Sequence, residues 1–233
     1  MIRIVVTGAK GRMGRKVAEL VRAASDLSLA AEIDAGDSLA AAARACDVIV
    51  DFTTAAASAE NAAIAASAAR PIVIGTTGLG DAERAAIKGA SSRVPVVCAP
   101  NMSIGVNVMF ALVATAARAL GGSYSVDIEE THHVHKLDSP SGTAKRIAEI
   151  AARERGPEEI EVRSVRRGEV VGDHEIRFVS PDERLSIAHS AGDRSIFARG
   201  AVAAARWIVG KPPGLYDMGD VLGLRSEAEG PGS

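Results

Sequence analysis

The sequence predicts an α/β fold in two parts. The first is a Rossmann-like, doubly wound parallel sheet, and the second is an α+β domain with a mostly antiparallel sheet. Three observations carry this. Short β-branched runs alternate with alanine-rich helical stretches from Ile2 to Cys98. A glycine-rich turn, "GAKGRMG", stands between the first run and the first helical stretch. Beyond "APNMSIGVN" the strands change from continuous apolar runs to polar alternation. Apolar strands alternating with helices make βαβ units, whose strands read as unbroken apolar runs because helices cover both faces. Period-two alternation instead marks strands with one face toward a core.

Taken in order, Ile2–Val6 is the first strand and Arg12–Ala24 the first helix. Leu29–Ile33, Val48–Val50, Ile72–Ile74 and Val94–Cys98 are further strands of the same sheet. A short alanine helix, then Ala55–Ala69 and Asp81–Ala90, connect them. The alanine bias needs no special account, because alanine is the strongest helix former. Ile104–Leu120 is one long helix stopped by Gly121-Gly122, a pair suited to the left-handed C-terminal turn. The strands Ser125–Glu130, Val162–Val165, Glu175–Val179 and Leu185–His189 follow, interrupted by a helix over Ser141–Arg155 with Ser139 as its cap and Pro140 in its first turn. A last helix over about Arg194–Val209 leads to "KPPGLYDMGDVLGL", and the tail "EAEGPGS" is expected to fray. This divides the chain into a dinucleotide-binding domain, residues 1–103 completed by 194–233, and a substrate-binding and oligomerisation domain, residues 104–193. Closure of one over the other is expected from a chain that leaves the first domain and returns to it.

Composition excludes several classes. The chain has 233 residues, 24% charged, with a formal net charge of −2 and no basic block, so no nucleic-acid footprint is expected. No uninterrupted apolar run of membrane-spanning length is expected, and the opening "MIRIVVTGAKGRMG" lacks the basic start and apolar run of a signal peptide. Cys46 and Cys98 read as separate, buried, reduced thiols, which suits a cytoplasmic protein.

Gly8, Gly11 and Gly14 directly follow the first strand and open the first helix. Glycines there permit a tight turn and close backbone approach to a pyrophosphate, which the N–H groups of the helix end then receive. The spacing is GxxGxxG, so the order strand, turn, helix carries the argument more than the pattern does. Asp34 ends the second strand about 20 residues on, where an acid takes ribose hydroxyls. "DFT" at Asp51–Thr53 and "GTTG" at Gly75–Gly78 each follow a strand, and so lie at the sheet edge where such folds bind ligands.

The stretch "EETHHVHKLDSPSGTA" supplies the other half of the chemistry. If Ile128–Lys136 stays extended, Glu130, His132, Val134 and Lys136 share one side, and His133 and His135 take the other. That splits the histidines, so no metal is expected. His132 beside the charge of Lys136 reads as a general acid, since imidazole titrates closest to working pH. Free N–H groups around Ser141, Gly142 and Thr143 make a receptor for a carboxylate or phosphate. A nicotinamide site, a histidine acid and an anion-binding helix end together indicate reduction of a small unsaturated carboxylic acid.

"ETHHVHKLDSPSGTA" resembles the substrate signature of the dihydrodipicolinate reductase (4-hydroxy-tetrahydrodipicolinate reductase) family of diaminopimelate and lysine biosynthesis. The resemblance runs along the chain through "GAKGRMG", "DFT", "GTTG", "APNMSIGVNVM", "SVRRGEVVGDH", "RLSIAHSAGDRSIFARGAV" and "GLYDMGDVL". It implies NAD(P)H-dependent reduction of 4-hydroxy-tetrahydrodipicolinate, or its dehydrated form, to tetrahydrodipicolinate. It implies further that Gly8, Ala9, Lys10, Gly11, Arg12 and Met13, with Gly14 opening the helix, hold the pyrophosphate, and Asp34 the adenosine ribose. Gly75, Thr76, Thr77, Ala99, Pro100, Asn101 and Met102 would line the nicotinamide side, with Phe52 nearby. His132 would be the catalytic acid and Lys136 its partner, while His133, Gly142 and Thr143 would bind the carboxylates of a small heterocyclic dicarboxylate. Arg194 would lie at the hinge, and the protein would be a homotetramer built through the second sheet. Two features depart from the family pattern. Asp34 is followed by Ala35 where the family often has arginine, which favours NADH over NADPH, although Lys10 and Arg12 supply charge nearby. The segments Ala35–Ala45 and Arg153–Arg163 are also shorter than usual. Two other readings share parts of this pattern: another NAD-dependent oxidoreductase of a small amino or imino acid, and a non-catalytic dinucleotide sensor.

Overall fold

The computed structural model describes residues 1–156 and 159–224; the expected frayed tail and Pro157–Glu158, inside the second shortened segment, lie outside the described residues. The chain divides into two compact units, one formed by Met1–Ile104 with the segment from Ser195 onward, the other by Gly105–Arg194.

The first unit is built on a six-stranded parallel sheet. Its strands are β1 (Ile2–Thr7), β2 (Leu27–Ile33), β3 (Val48–Asp51), β4 (Ile72–Ile74), β5 (Pro95–Cys98) and β10 (Gly214–Tyr216), in the order β10-β5-β4-β3-β1-β2. The alternating side chains of each strand feed two cores. Ile4, Val6, Val48, Val50, Val73 and Val97 pack against α1 (Arg12–Ala23) and α7 (Ser195–Ile208). Val5, Ile49, Ile72, Ile74 and Val96 pack against α2 (Leu39–Ala43), α3 (Ala55–Ser67) and α4 (Asp81–Ser91). Each fully buried Val or Ile contributes roughly 1.5–3 kcal/mol, so these two faces hold the sheet together. Thr54 caps α3 by accepting the Ala57 N–H. The strand β10 was not expected. It is three residues long and sits between Pro213 and Asp217, leaving too little periodic signal for a strand; only its pairing with β5 makes it one.

The second unit has a four-stranded mixed sheet, β7-β6-β8-β9, formed by β6 (Ser125–His132), β7 (Val162–Arg166), β8 (Gly172–Val179) and β9 (Arg184–Ala191). The pair β6/β7 is parallel and the pairs β6/β8 and β8/β9 are antiparallel. Two helices, α5 (Ile104–Leu120) and α6 (Gly142–Arg155), bring Met109, Val113, Ala117, Ile147, Ile150 and Ala151 onto Ile128, Ile176 and Phe178. On the opposite sheet face Arg177 bridges Asp127 and Glu175, each at 2.7 Å. Gly121, at φ +56°, ends α5 as expected.

Three expectations are corrected. The stretch Ile104–Ser123 is long and apolar enough to cross a membrane by length and composition, although no spanning run was expected. The apolar residues Met109 and Val113 are buried in the second unit's core, and Ile104, Val108 and Leu112 are exposed. Secondly, β6 stops at His132, and the chain then turns: Val134 N–H donates to Gly168 O (3.2 Å) and Lys136 N–H to His133 O (3.2 Å). The extended run assumed to reach Lys136 does not exist. Finally, Ser141 rather than Ser139 caps α6, its Oγ accepting the Ala144 N–H at 3.2 Å, and the Ser139–Pro140 peptide is cis.

Candidate active site

In the first unit every residue assigned to the dinucleotide follows the carboxyl end of a parallel strand, so all share one sheet edge. Gly8 turns at φ +70° and its N–H donates to Ile33 O at 2.9 Å, tying the loop to the end of β2. A Cβ on Gly14 would strike the Gly8 carbonyl, and one on Gly8 would strike the carbonyl of Phe52. The loop therefore closes against both helix and β3 only because these positions carry hydrogen. Gly11 is the N-cap of α1 and offers no side-chain cap, and the first turn holds no acid. The Gly11 N–H itself donates to Gly8 O at 2.9 Å, but the N–H groups of the first turn that follows and the positive end of the helix suit an anion, so the residues fit a dinucleotide pyrophosphate. Ala9 is buried, Met13 half-buried, and Lys10 and Arg12 exposed.

Asp34 accepts the Lys10 N–H at 2.8 Å through Oδ2, and its own N–H donates to Asp37 Oδ2 at 2.9 Å. The acid is thus locked to the glycine loop. Phe52 packs its ring where a Cβ on Gly75 would lie, so these two positions were brought together. Ala99 and Met102 are buried, and Pro100 and Thr77 exposed. Asn101 Oδ1 accepts the Ser103 N–H at 2.9 Å.

Behind this rim lies Asp51, fully buried at the end of β3. It accepts from Thr7 Oγ1 (2.5 Å), Thr53 Oγ1 (2.8 Å), Asn61 Nδ2 (2.9 Å), Thr76 Oγ1 (3.2 Å) and the Ser58 hydroxyl. All five donors are neutral, and Thr76 Oγ1 in turn accepts the Thr53 N–H at 3.0 Å. The carboxylate joins the ends of β1, β3 and β4 to the start of α3.

In the second unit Glu130 and His132, two residues apart on β6, both point into the core side and both are buried. His132 Nδ1 meets Glu130 Oε2. Arg166 on β7 grips the same carboxylate with both ends of its fork, Nη1 to Oε2 at 3.0 Å and Nη2 to Oε1 at 2.9 Å. Its Nη2 also donates to Asp138 O at 2.7 Å, holding the loop that carries Lys136. Ser141 N–H donates to Glu130 Oε1 at 3.3 Å, so this N–H, expected to be free, is already engaged. Ser141 Oγ lies 3.1 Å from Nε2 of His174, whose ring meets that of His132 edge-on at 5.1 Å. Lys136 Nζ pairs with Asp138 Oδ1 at 2.8 Å. His133 is half-buried, with no partner for Nδ1 among the described residues. Gly142 is exposed at the first position of α6, with open space where a side chain would stand, and Thr143 beside it is half-buried. Among the described residues no three His, Cys, Asp or Glu side chains converge as metal ligands.

Burial alone would raise the Glu130 carboxyl, but the hydrogen bonds from Arg166 and His132 outweigh it and hold the group at about 2. Burial pushes His132 below the usual imidazole value against the pull of Glu130, with Lys136 and Arg166 adding to the decrease. Burial takes His174 down to about 4, helped by His132. Both folded values, for Glu130 and for His174, lie below their ordinary ones, so the unfolded chain binds more protons in each window. Stability is therefore expected to fall from about pH 6.5 to about pH 4 as His174 protonates, and from about pH 4.5 to about pH 2 through Glu130. Urea midpoints measured across this range check it, and His174→Gln should shrink the upper window, to which the depressed His132 and His189 also contribute, while leaving the lower one in place.

Sequence reasoning assigned no role to Arg166, His174 or Gly172. The i, i+2 spacing of Glu130 and His132 was a legible sign that the acid shares the histidine's face. Arg166 lies 36 positions from Glu130 and has no local signature.

The chain matches two family models, dihydrodipicolinate reductase N-terminus over residues 2–102 and dihydrodipicolinate reductase C-terminus over residues 105–222. It is 43% identical to the 4-hydroxy-tetrahydrodipicolinate reductase of Anaeromyxobacter dehalogenans (strain 2CP-1), over 97% of this chain and 99% of that protein. With the enzyme of the same name from Trichlorobacter lovleyi it shares 41% identity over 97% of this chain and 100% of that protein. Its fold resembles the dipicolinate-bound dihydrodipicolinate reductase from Paenisporosarcina sp. TG-14, with a TM-score of 0.82, 24% identity, and coverage of 93% of this chain and 97% of that one. With both halves matched and more than two-fifths of its residues shared with a relative along nearly the whole length, this chain belongs to the dihydrodipicolinate reductase family.

Proposed function

We propose that this chain reduces 4-hydroxy-tetrahydrodipicolinate, or the dehydrated ring formed from it, to tetrahydrodipicolinate in diaminopimelate and lysine biosynthesis. The observation that carries the reading is His132, buried beside the capped N-terminus of α6 in a chain that matches both family models. A bound reduced nicotinamide supplies a hydride to the conjugated imine of the substrate. The chain's own residues do the rest. Gly8–Gly14 receive the pyrophosphate and Asp34 the adenosine ribose, while Phe52, Gly75–Thr77 and Ala99–Met102 line the nicotinamide side. His133, Gly142 and Thr143 bind the carboxylates, with the positive end of α6 favouring the anion. His132 donates the proton that quenches the electron density left by reduction, and Lys136 activates the substrate, exchanging its pairing with Asp138 for a substrate carboxylate.

NADH is the favoured cofactor. Asp34, with Ala35 next to it, sets a carboxylate against a 2′-phosphate, and Lys10 and Arg12 offset this only in part. The expected result is a higher kcat/KM for NADH than for NADPH, with Asp34→Ala narrowing the ratio. Following nicotinamide absorbance with enzymatically generated substrate checks it. A strong NADPH preference would overturn the cofactor assignment and keep the reductase. Binding of both nucleotides without turnover would overturn the reductase itself. The same reading includes a cytoplasmic homotetramer assembled through the second unit's sheet, which sedimentation would check.

A further inference from the structure

Hydrogen bonding around His132 leaves its two ring nitrogens in unlike surroundings. Nδ1 faces Glu130 Oε2, and that carboxylate is fixed by the two-point grip of Arg166 and by the Ser141 N–H. A carboxylate so held stays ionised and can only accept, so the proton it shares with the ring belongs to Nδ1. The other nitrogen, Nε2, stands over Gly172 of β8. A Cβ at that position would come within 2.9 Å of Nε2 and 3.3 Å of the neighbouring ring carbon. Strand pairing brings Gly172 there, since Glu130 opposes His174 and Thr131 opposes Asp173 at the end of the β6/β8 ladder, and His132 and Gly172 are the residues next along each strand. The absence of a side chain at 172 is what gives the ring room to stand with Nε2 away from Glu130.

We propose that Glu130 is a positioning residue for the reaction, holding His132 as the Nδ1–H tautomer so that Nε2 alone exchanges the catalytic proton. This rests on the reductase reading only for the identity of the proton acceptor. In the transfer, the Nε2–H bond of the imidazolium breaks as the electron pair of the reduced substrate's enamine carbon forms the new C–H bond. The imidazole returns to its neutral Nδ1–H form, and Glu130 remains a carboxylate throughout. The orienting role parallels the acid behind the histidine of a hydrolytic triad, where the wrong tautomer stops proton transfer although the geometry survives.

Several charged or titratable groups face the ring. Glu130, on the same strand, favours the imidazolium. Arg166 from β7 and Lys136 from the loop after β6 oppose it. His174 from β8 packs edge-on against the ring, and Asp138 also senses its charge. Removing the Glu130 charge thus leaves Arg166 and Lys136 facing the ring without the buried acid beside it.

The test uses the full chain with 15N-labelled histidine, His132 being assigned by the disappearance of its signals in His132→Gln. In the wild type the neutral ring is expected as the Nδ1–H tautomer. An Nε2–H tautomer there overturns the proposal without any variant. In Glu130→Gln, whose amide can donate as well as accept, the population is expected to move toward Nε2–H and the His132 titration to move to lower pH as the pull of the carboxylate is lost. With substrate, kcat should fall roughly 100-fold while KM stays within about threefold, and Glu130→Asp should recover part of the loss. An unchanged tautomer and unchanged pH profile in Glu130→Gln overturn the proposal. If Glu130→Gln does not fold, the wild-type tautomer and Glu130→Asp still decide it. Because the tautomer needs no turnover, failure of the reductase reading and failure of this one appear in different measurements.

Discussion

Replacing His132 with glutamine is expected to lower kcat by roughly 10²- to 10⁴-fold, the usual worth of a positioned general acid, while NADH binding is unchanged. Glutamine approximates the reach of the imidazole but has no proton to give at neutral pH. The loss corresponds to about 3–5 kcal/mol of transition-state stabilisation. Little of it should come from instability. Arg166 keeps its two-point contact with Glu130 when His132 is gone, so no buried carboxylate is left alone. The measurement pairs turnover with a urea midpoint and a nucleotide titration. A variant with wild-type kcat would remove His132 from the chemistry. A variant that loses nucleotide binding as well would mean that the substitution disturbs more than the proton donor.

Asp51→Ala is expected to cost about 4 kcal/mol of stability and to weaken dinucleotide binding with it. The carboxylate is fully buried and is met by five neutral donors. Truncation leaves Thr7 and the half-buried Asn61 without their acceptor and Ser58 with only the Thr53 hydroxyl at 3.3 Å, and a buried donor left unsatisfied costs about 1–3 kcal/mol. A domain stable by about 5–15 kcal/mol loses a large share of its margin at one position. Binding suffers because Thr53 and Thr76 take their orientation from Asp51, and Thr76 belongs to the nicotinamide side of the proposed site. Asp51→Asn should cost about half as much, since the hydroxyls can rotate to donate to its one remaining oxygen. Denaturant unfolding of both variants checks the order. Near-wild-type stability in Asp51→Ala would show that the donors find other partners.

The parts of this protein that were legible in its sequence are those written in local periodicity. Strands such as Val48–Asp51 and Ile72–Ile74 are unbroken apolar runs because helices cover both faces, and that requirement shows in any short window. The glycine loop is equally local. Gly8 must turn with positive φ and Gly14 must clear the Gly8 carbonyl, and both demands fall within one turn and the start of one helix. The switch to polar alternation after Ser103 announced the second sheet for the same reason.

Tertiary structure alone decided what lies around His132. Glu130 could be placed on the histidine's face by alternation. Its partner Arg166 arrives on a parallel strand 36 positions later, and His174 on an antiparallel one, so their meeting depends on the register of β6 with β7 and β8. Register is a property of paired strands and is invisible in either strand by itself. The same holds for Gly172, whose missing side chain matters only because the β6/β8 pairing sets it beside His132. β10 is a strand only by virtue of β5, and Ser141 rather than Ser139 is the cap because it is the Ser141 hydroxyl that reaches the Ala144 N–H. The sequence by itself determined the fold class, the glycine loop and the histidine-bearing segment, because each is specified by residues in contact along the chain. Which nitrogen of His132 faces an acid, and which has room to act, was decided by strands that meet only when the chain has folded.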